Sequence, residues 1–159
     1  MIEIKQLNEE NFPKVIKLSL SIFKPKAGKQ DRFHNIQRWK KYFKQEGILL
    51  GAFINEELAG YLFCYQRELN QKSLHCWMAG VSKEYRQKGI LKKLISKLTR
   101  ILKEKNYKVF TINTWPEKFP AMYAYLTKYG YEQYKKEERK WEGKKTLKAF
   151  FRKKVNIKL

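Results

Sequence analysis

The sequence predicts an α/β (α+β) fold, a mixed sheet of about six to seven strands with helices on both faces, in the order β-α-α-β-β-β-α-β-α-β-β. Three observations carry it. Segments with period-two apolar spacing alternate with segments of helical spacing. Ser73 to Asn113 reads as one strand–helix–strand unit, which requires a parallel pair with a right-handed crossover. Two further pairs of β-rich runs close on short polar turns and read as hairpins.

Taken in order, Ile2 to Leu7 alternates and forms the first strand. Asn11 is placed to cap a helix with Pro13 in its first turn, and Val15, Ile16, Leu18, Leu20 and Phe23 supply its apolar positions. Lys24 to Gln30 breaks that helix. Asp31 is then expected to cap a second one, with Phe33, Ile36, Trp39, Tyr42 and Phe43 at helical spacing. Ile48 to Gln66 is a hairpin around Asn55–Glu56–Glu57, and Ser73 to Val81 is a strand expected to be buried on both faces.

After Gly89 a helix carries Ile90, Leu91, Leu94, Ile95, Leu98, Ile101 and Leu102 opposite Lys92, Lys93, Lys97 and Arg100, and Asn106 stops it. Tyr107 to Asn113 is a strand and Pro120 to Gly130 a short helix ended by its glycine. Tyr131 to Glu138 and Thr146 to Val155 form a last hairpin around Glu142–Gly143. No repeat, low-complexity tract or linker divides the 159 residues, so one domain over 1–159 is expected.

The net charge of +21 points to an anionic partner, whether nucleic acid, cofactor or acidic substrate. Only seven of the 36 basic residues are arginines: Arg32, Arg38, Arg67, Arg86, Arg100, Arg139 and Arg152. Arginine is the favoured residue for bidentate phosphate and base contacts, so a lysine-biased composition argues against a dedicated nucleic-acid binder. No apolar run reaches the ~18 residues of a membrane span. The N-terminus lacks a signal-peptide core, and Cys64 and Cys76 lie in strands without CxxC spacing, so a cytoplasmic protein with reduced thiols is expected. No spacing of His, Cys, Asp and Glu suggests a metal.

The chemistry-bearing stretch is Val81 to Ile95, VSKEYRQKGILKKLI, where a basic turn leads into a helix. A helix N-terminus leaves four N–H groups free and carries roughly half a positive charge, so Arg86, Gln87, Lys88 and Gly89 read either as a solvated turn or as an anion site. The P-loop and dinucleotide fingerprints are both absent. With the element order, Arg86-Gln87-Lys88-Gly89-Ile90-Leu91 resembles the Q/R-x-x-G-x-G/A signature of the GNAT superfamily of acyl-CoA-dependent N-acetyltransferases. Tyr125-Leu126-Thr127-Lys128-Tyr129-Gly130-Tyr131 resembles the family's LYEKLGF-like helix end.

The resemblance implies that amides from Gln87 to Leu91 hold the pyrophosphate of acetyl-CoA, with Arg86 and Lys88 adding charge and Gly89 admitting close approach. It places the pantetheine arm beside Ala79, Gly80 and Val81; Gly80 marks either that approach or a bulge. The family's asparagine is not matched at Phe119, and Asn113 stands as a substitute. Its general-acid tyrosine is replaced by Leu126, leaving Tyr123 and Tyr125 as neighbours that either serve as the acid or simply pack.

Counting back from Arg86, the position of the family's glutamate base falls on His75, which is either that base or a core histidine satisfied by a neighbour. Period two puts His75, Trp77, Ala79 and Val81 on one face, and His34 is expected at the surface of the second helix.

The implied reaction is direct transfer of acetyl from acetyl-CoA to a primary amine, small molecule or peptide. A basic rim built from Lys24 to Gln45 and Tyr134 to Lys148 suits acceptors with a carboxylate or phosphate near the amine. The rival classes are a catalytically silent CoA-binding domain and a basic nucleic-acid-binding module. A homodimer is compatible with the sequence.

Overall fold

The computed structural model describes residues 1–25, 31–69 and 71–155. Its order is β1 (Ile2–Leu7), α1 (Phe12–Phe23), α2 (Ile36–Phe43), β2 (Ile48–Ile54), β3 (Glu57–Tyr65), β4 (Ser73–Val81), α3 (Ile90–Glu104), β5 (Val109–Thr114), α4 (Pro120–Lys128), β6 (Glu132–Trp141) and β7 (Lys144–Lys154). Short 3₁₀ turns precede α1 and α3. Among the described residues the strands form one seven-stranded sheet, β1-β2-β3-β4-β5-β7-β6, antiparallel except at β4–β5. The expected order is the observed one.

Local chemistry sets the element ends. Both hairpins turn on two left-handed residues, Asn55–Glu56 and Glu142–Gly143, the backbone that matches strand twist. α3 closes with Asn106 at φ 60 and a bond from Tyr107 N–H to Leu102 O of 2.9 Å. α4 repeats the device with Gly130 at φ 78 and Tyr131 N–H to Leu126 O at 3.1 Å.

Two helix starts differ from expectation. Asn11 precedes α1, but its side chain reaches back to Asn8 N–H, while Asn8 caps the 3₁₀ turn by accepting from Glu10 N–H. Asn35, not Asp31, caps α2, accepting from the N–H groups of Gln37 and Arg38. Two cap-type residues lay close in sequence, and the one adjoining the apolar stripe won. Of the break expected over Lys24 to Gln30, Lys24 is left-handed at φ 43, and residues 26–30 lie outside the described residues.

The sheet has two differently covered faces. On one, the stripe of α3 (Ile90, Leu94, Leu98, Ile101, Leu102) packs with Leu126 of α4 on residues of β2 to β5 and β7. Leu94 and Leu98 are fully buried, each stabilising by roughly 2 kcal/mol. On the other, Phe12, Val15 and Trp39 from α1 and α2 cover Leu49, Tyr61, Phe63 and Met78 of β2 to β4. Among the described residues, no helix covers the same face of β5, β7 and β6.

β4 is only partly buried on its outer half, against the expectation of burial on both faces. Its register with β3 shifts between Phe63 and Cys64, leaving Trp77 as the extra residue. This bulge moves the alternation by one. Leu74, Cys76, Ala79 and Val81 therefore point toward α3, while Trp77 and Met78 both point toward α2. His75 and Ala79 do not share a face, which corrects the simple period-two reading.

Candidate active site

The turn from β4 into α3 is built as an anion cradle. Gln87 and Gly89 are both left-handed, at φ 63 and 77, alternating with ordinary backbone in the manner of an amide nest. Gly89 is the helix N-cap and offers no side-chain cap. The first intrahelical donor is Lys93, bonded to Gly89 O at 3.1 Å, so the amides of Ile90, Leu91 and Lys92 have no acceptor among the described residues. A Cβ on Gly89 would meet nothing within 4 Å, so the space above this turn is open.

Arg86, Gln87, Lys88 and Gly89 are exposed, Ile90 is buried in the core, and Leu91 is half-buried at the stripe's edge. The Arg86 side chain folds back to donate from Nε to Val81 O at 3.3 Å. Lys88 lies 5.8 Å above the Tyr85 ring, whose hydroxyl donates to Glu57.

Beside this cradle the parallel pair opens. β4 and β5 are paired only over Ser73–Cys76 and Val109–Ile112. Beyond them Met78 to Val81 pair with β3 on one side and, among the described residues, with no strand on the other, while Asn113 and Thr114 pair only with β7. The result is a wedge whose β4 side, at Ala79 and Gly80, has no strand partner among the described residues, while Val81 O is held by Arg86 Nε. Gly80 is not the bulge; a Cβ there would come within 2.9 Å of Ile22 Cδ1, so its close approach in this structure is to α1. Asn113 is the first β5 residue past the pairing with β4, and its Oδ1 is buried with no hydrogen-bond partner among the described residues.

His75 sits just inside the paired part of β4, only 6% exposed. Its Nδ1 is 2.8 Å from Thr111 Oγ1 and its Nε2 is 3.4 Å from an Arg67 guanidinium nitrogen. Burial, then the charges of Arg67 and Lys148, push its pKa down to about 3. A ring so placed is neutral at pH 7 and holds its free lone pair toward a cation, an arrangement that does not favour proton abstraction.

The tyrosines of α4 are also engaged. The Tyr123 hydroxyl donates to Gln133 Oε1 at 3.1 Å, and Tyr125 packs on Tyr129 with centroids 4.5 Å apart. Burial, followed by Tyr129, raises the Tyr125 pKa. Leu126 is fully buried in the core.

The helix-free face next to the wedge is aromatic and cationic. Phe33 stacks on Trp141, which meets Trp115 and Phe119, and Phe119 meets Phe23. Lys135, Arg139 and Lys148 all lie within 5.8 Å of the Phe150 ring centroid. Asn113 is the register partner of Phe150.

One cluster was not legible beforehand. His34 precedes α2, its side chain is 5% exposed, and its Nε2 lies 2.7 Å from Ser19 Oγ while Nδ1 lies 2.5 Å from Asp31 Oδ2. Ser19 Oγ also lies 2.6 Å from the Tyr61 hydroxyl. The Ser–His–Asp order resembles a nucleophile relay, but Ser19 is fully buried and wedged against Tyr61, so it cannot reach a substrate. The chain of bonds instead fastens the segment before α2 onto α1 and β3. The surface histidine expected at position 34 is thus a buried one, because its partner lies 15 residues away.

No curated protein matches the chain. Among solved structures, the ribosomal-protein-S18-alanine N-acetyltransferase from Escherichia coli superposes with a TM-score of 0.80 at 10% identity, over 99% of this chain and 96% of that one. An acetyltransferase of the GNAT family from Staphylococcus aureus Mu50 gives 0.78 at 20% identity, over 98% and 100%. yncA from Salmonella typhimurium, solved with its cofactor acetyl-CoA, gives 0.79 at 12%, over 100% and 96%. These likenesses establish the fold. The model of the acetyltransferase (GNAT) domain matches residues 3–134, most of the chain, and the protein belongs to the GNAT acetyltransferase family.

Proposed function

We propose that the protein is an N-acetyltransferase that moves an acetyl group from acetyl-CoA to a primary amine by direct attack. The observation that carries this reading is the pairing of an amide cradle at the start of α3 with a wedge between β4 and β5. Cradle and wedge fit the two ends of acetyl-CoA. The free amides from Gln87 to Leu91, with Arg86 and Lys88 nearby, suit its phosphates, and Gly89 leaves room for them. The unpaired edge at Ala79, Gly80 and Val81 suits the amides of its pantetheine arm.

Acetyl-CoA supplies an activated thioester. In the reaction the amine nitrogen bonds to the acetyl carbon, the C–S bond breaks, and the thiolate leaves with the electron pair. The chain's part is to orient and to polarise: backbone N–H groups at the wedge hold the thioester oxygen. His75, held neutral beside Arg67, shapes the wall of the site, and the amine's proton passes to water. Cys76 is 2% exposed with its thiol turned to Met78 O at 3.7 Å, which favours direct attack over a covalent route.

One observation favours a silent CoA-binding domain instead: Leu126 is sealed in the core, and both neighbouring tyrosines are engaged elsewhere. Release of CoA thiol from acetyl-CoA in the presence of a panel of amines separates the two. Acetyl-CoA binding without amine-dependent thiol release would leave only the silent reading.

A further inference from the structure

The face that borders the wedge holds more positive charge than its own carboxylates can balance. Lys148 on β7 is half-buried, with its ammonium 5.4 Å above Trp115 and 5.2 Å above Phe150. No carboxylate among the described residues forms an ion pair with it; Glu137, the nearest acid across β6, is engaged by both Lys135 and Arg139. Glu117 accepts from Thr146. Burial lowers the Lys148 pKa, with Arg139 and Arg67 lowering it further and the register partner Glu137 opposing them. His75 senses the same two cations. A half-buried ammonium whose facing carboxylate is shared with two other cations is costly, and an anion from solution would offset that cost.

Asn113 lies between the two cations. It is two residues along β5 from Thr111, the partner of His75, and opposite Phe150, two residues along β7 from Lys148. Two residues of strand span about 7 Å, the length of a short amino acid or amino phosphate. The buried Oδ1 of Asn113 is an acceptor with no donor among the described residues, and Asn113 lies on β5 one residue beyond the last β4–β5 pair.

We infer that the acceptor is a small amine bearing a phosphate or carboxylate a few bonds from its nitrogen. Lys148 binds the anionic group, Arg67 adds positive charge beside His75, and Asn113 Oδ1 accepts an N–H of the amine. This rests on the acetyltransferase reading and narrows its substrate class. The geometry excludes polyamines, whose second cation would meet Lys148.

The test is calorimetric titration of the CoA-saturated protein with 2-aminoethyl phosphate, β-alanine and ethanolamine. At least one anionic amine should bind tenfold or more tighter than ethanolamine, and the first two compounds tell phosphate from carboxylate. The preference should fall to within threefold in Lys148→Gln and shrink in Arg67→Gln; Arg67 is exposed, so the second variant keeps its fold. Equal or tighter binding of ethanolamine, or an unchanged preference in both variants, would overturn the assignment. The melting shift with acetyl-CoA, read on the same samples, keeps the two readings apart. Loss of preference with that shift intact faults only the acceptor class. Absence of the shift faults the cofactor site, and the titrations are then read on the free protein.

Discussion

A guanidinium nitrogen of Arg67 lies 3.4 Å from Nε2 of His75, while Nδ1 of the same ring lies 2.8 Å from Thr111 Oγ1. Arginine can only donate, so Nε2 accepts and Nδ1 carries the ring's proton, donated to the threonine hydroxyl. Neither nitrogen is left to take a proton from a substrate.

This geometry fixes the direction of a pH effect on stability. The His75 pKa falls from the ordinary 6.5 to about 3 in the fold, so between those values the unfolded chain binds the extra proton. Its contribution is fully present above about pH 6.5 and is lost progressively as pH falls toward 3. Thermal unfolding of wild type and His75→Gln across pH 3 to 8 should show a flatter profile for the variant in that window. Parallel profiles would mean that His75 is not buried neutral.

The same relationship bears on catalysis. A general base typically contributes 10²- to 10⁴-fold. His75→Gln should lower turnover by less than about tenfold, and the rise of kcat/KM with pH should follow the acceptor amine in both proteins. A loss of 10² or more that shrinks as pH rises would restore the proton-acceptor role expected from the sequence.

The bonds from Asp31 through His34 and Ser19 to Tyr61 tie the segment before α2 to the body of the fold. Removing His34 strands a buried hydroxyl pair. His34→Ala should destabilise by about 1–3 kcal/mol, measured by urea unfolding. The Ser19→Ala/His34→Ala double variant should lose clearly less than the sum of the single losses, because both break one chain. Additive losses would show that the residues act independently.

How much of this the sequence held depends on the range of the interactions. The α3 stripe, the stops at Asn106 and Gly130, and the turn at Glu142–Gly143 arise from residues within a few positions of one another, and they stand where expected. The bulge at Trp77 does not, because a bulge is a relation between β4 and β3 rather than a property of either. It turned His75 and Ala79 to opposite faces. Burial of His34 likewise depends on Ser19 of another helix. The cation cluster gathers residues from β6 and β7 with Arg67, which follows β3, so only the register brings it together.

The most direct test of the account is the melting shift that acetyl-CoA produces in wild type and in Gly89→Glu. A ligand at a hundred times its dissociation constant adds roughly 2.7 kcal/mol, a clear shift for wild type. The left-handed Gly89 sits at φ 77 with open space above it, so a glutamate there costs about 1–2 kcal/mol of backbone strain while its Cβ meets nothing within 4 Å. Its carboxylate would stand where the phosphates belong. Gly89→Glu should therefore fold, melt somewhat lower, and show no shift with acetyl-CoA. A shift equal to that of wild type would place the cofactor's phosphates elsewhere and contradict the account.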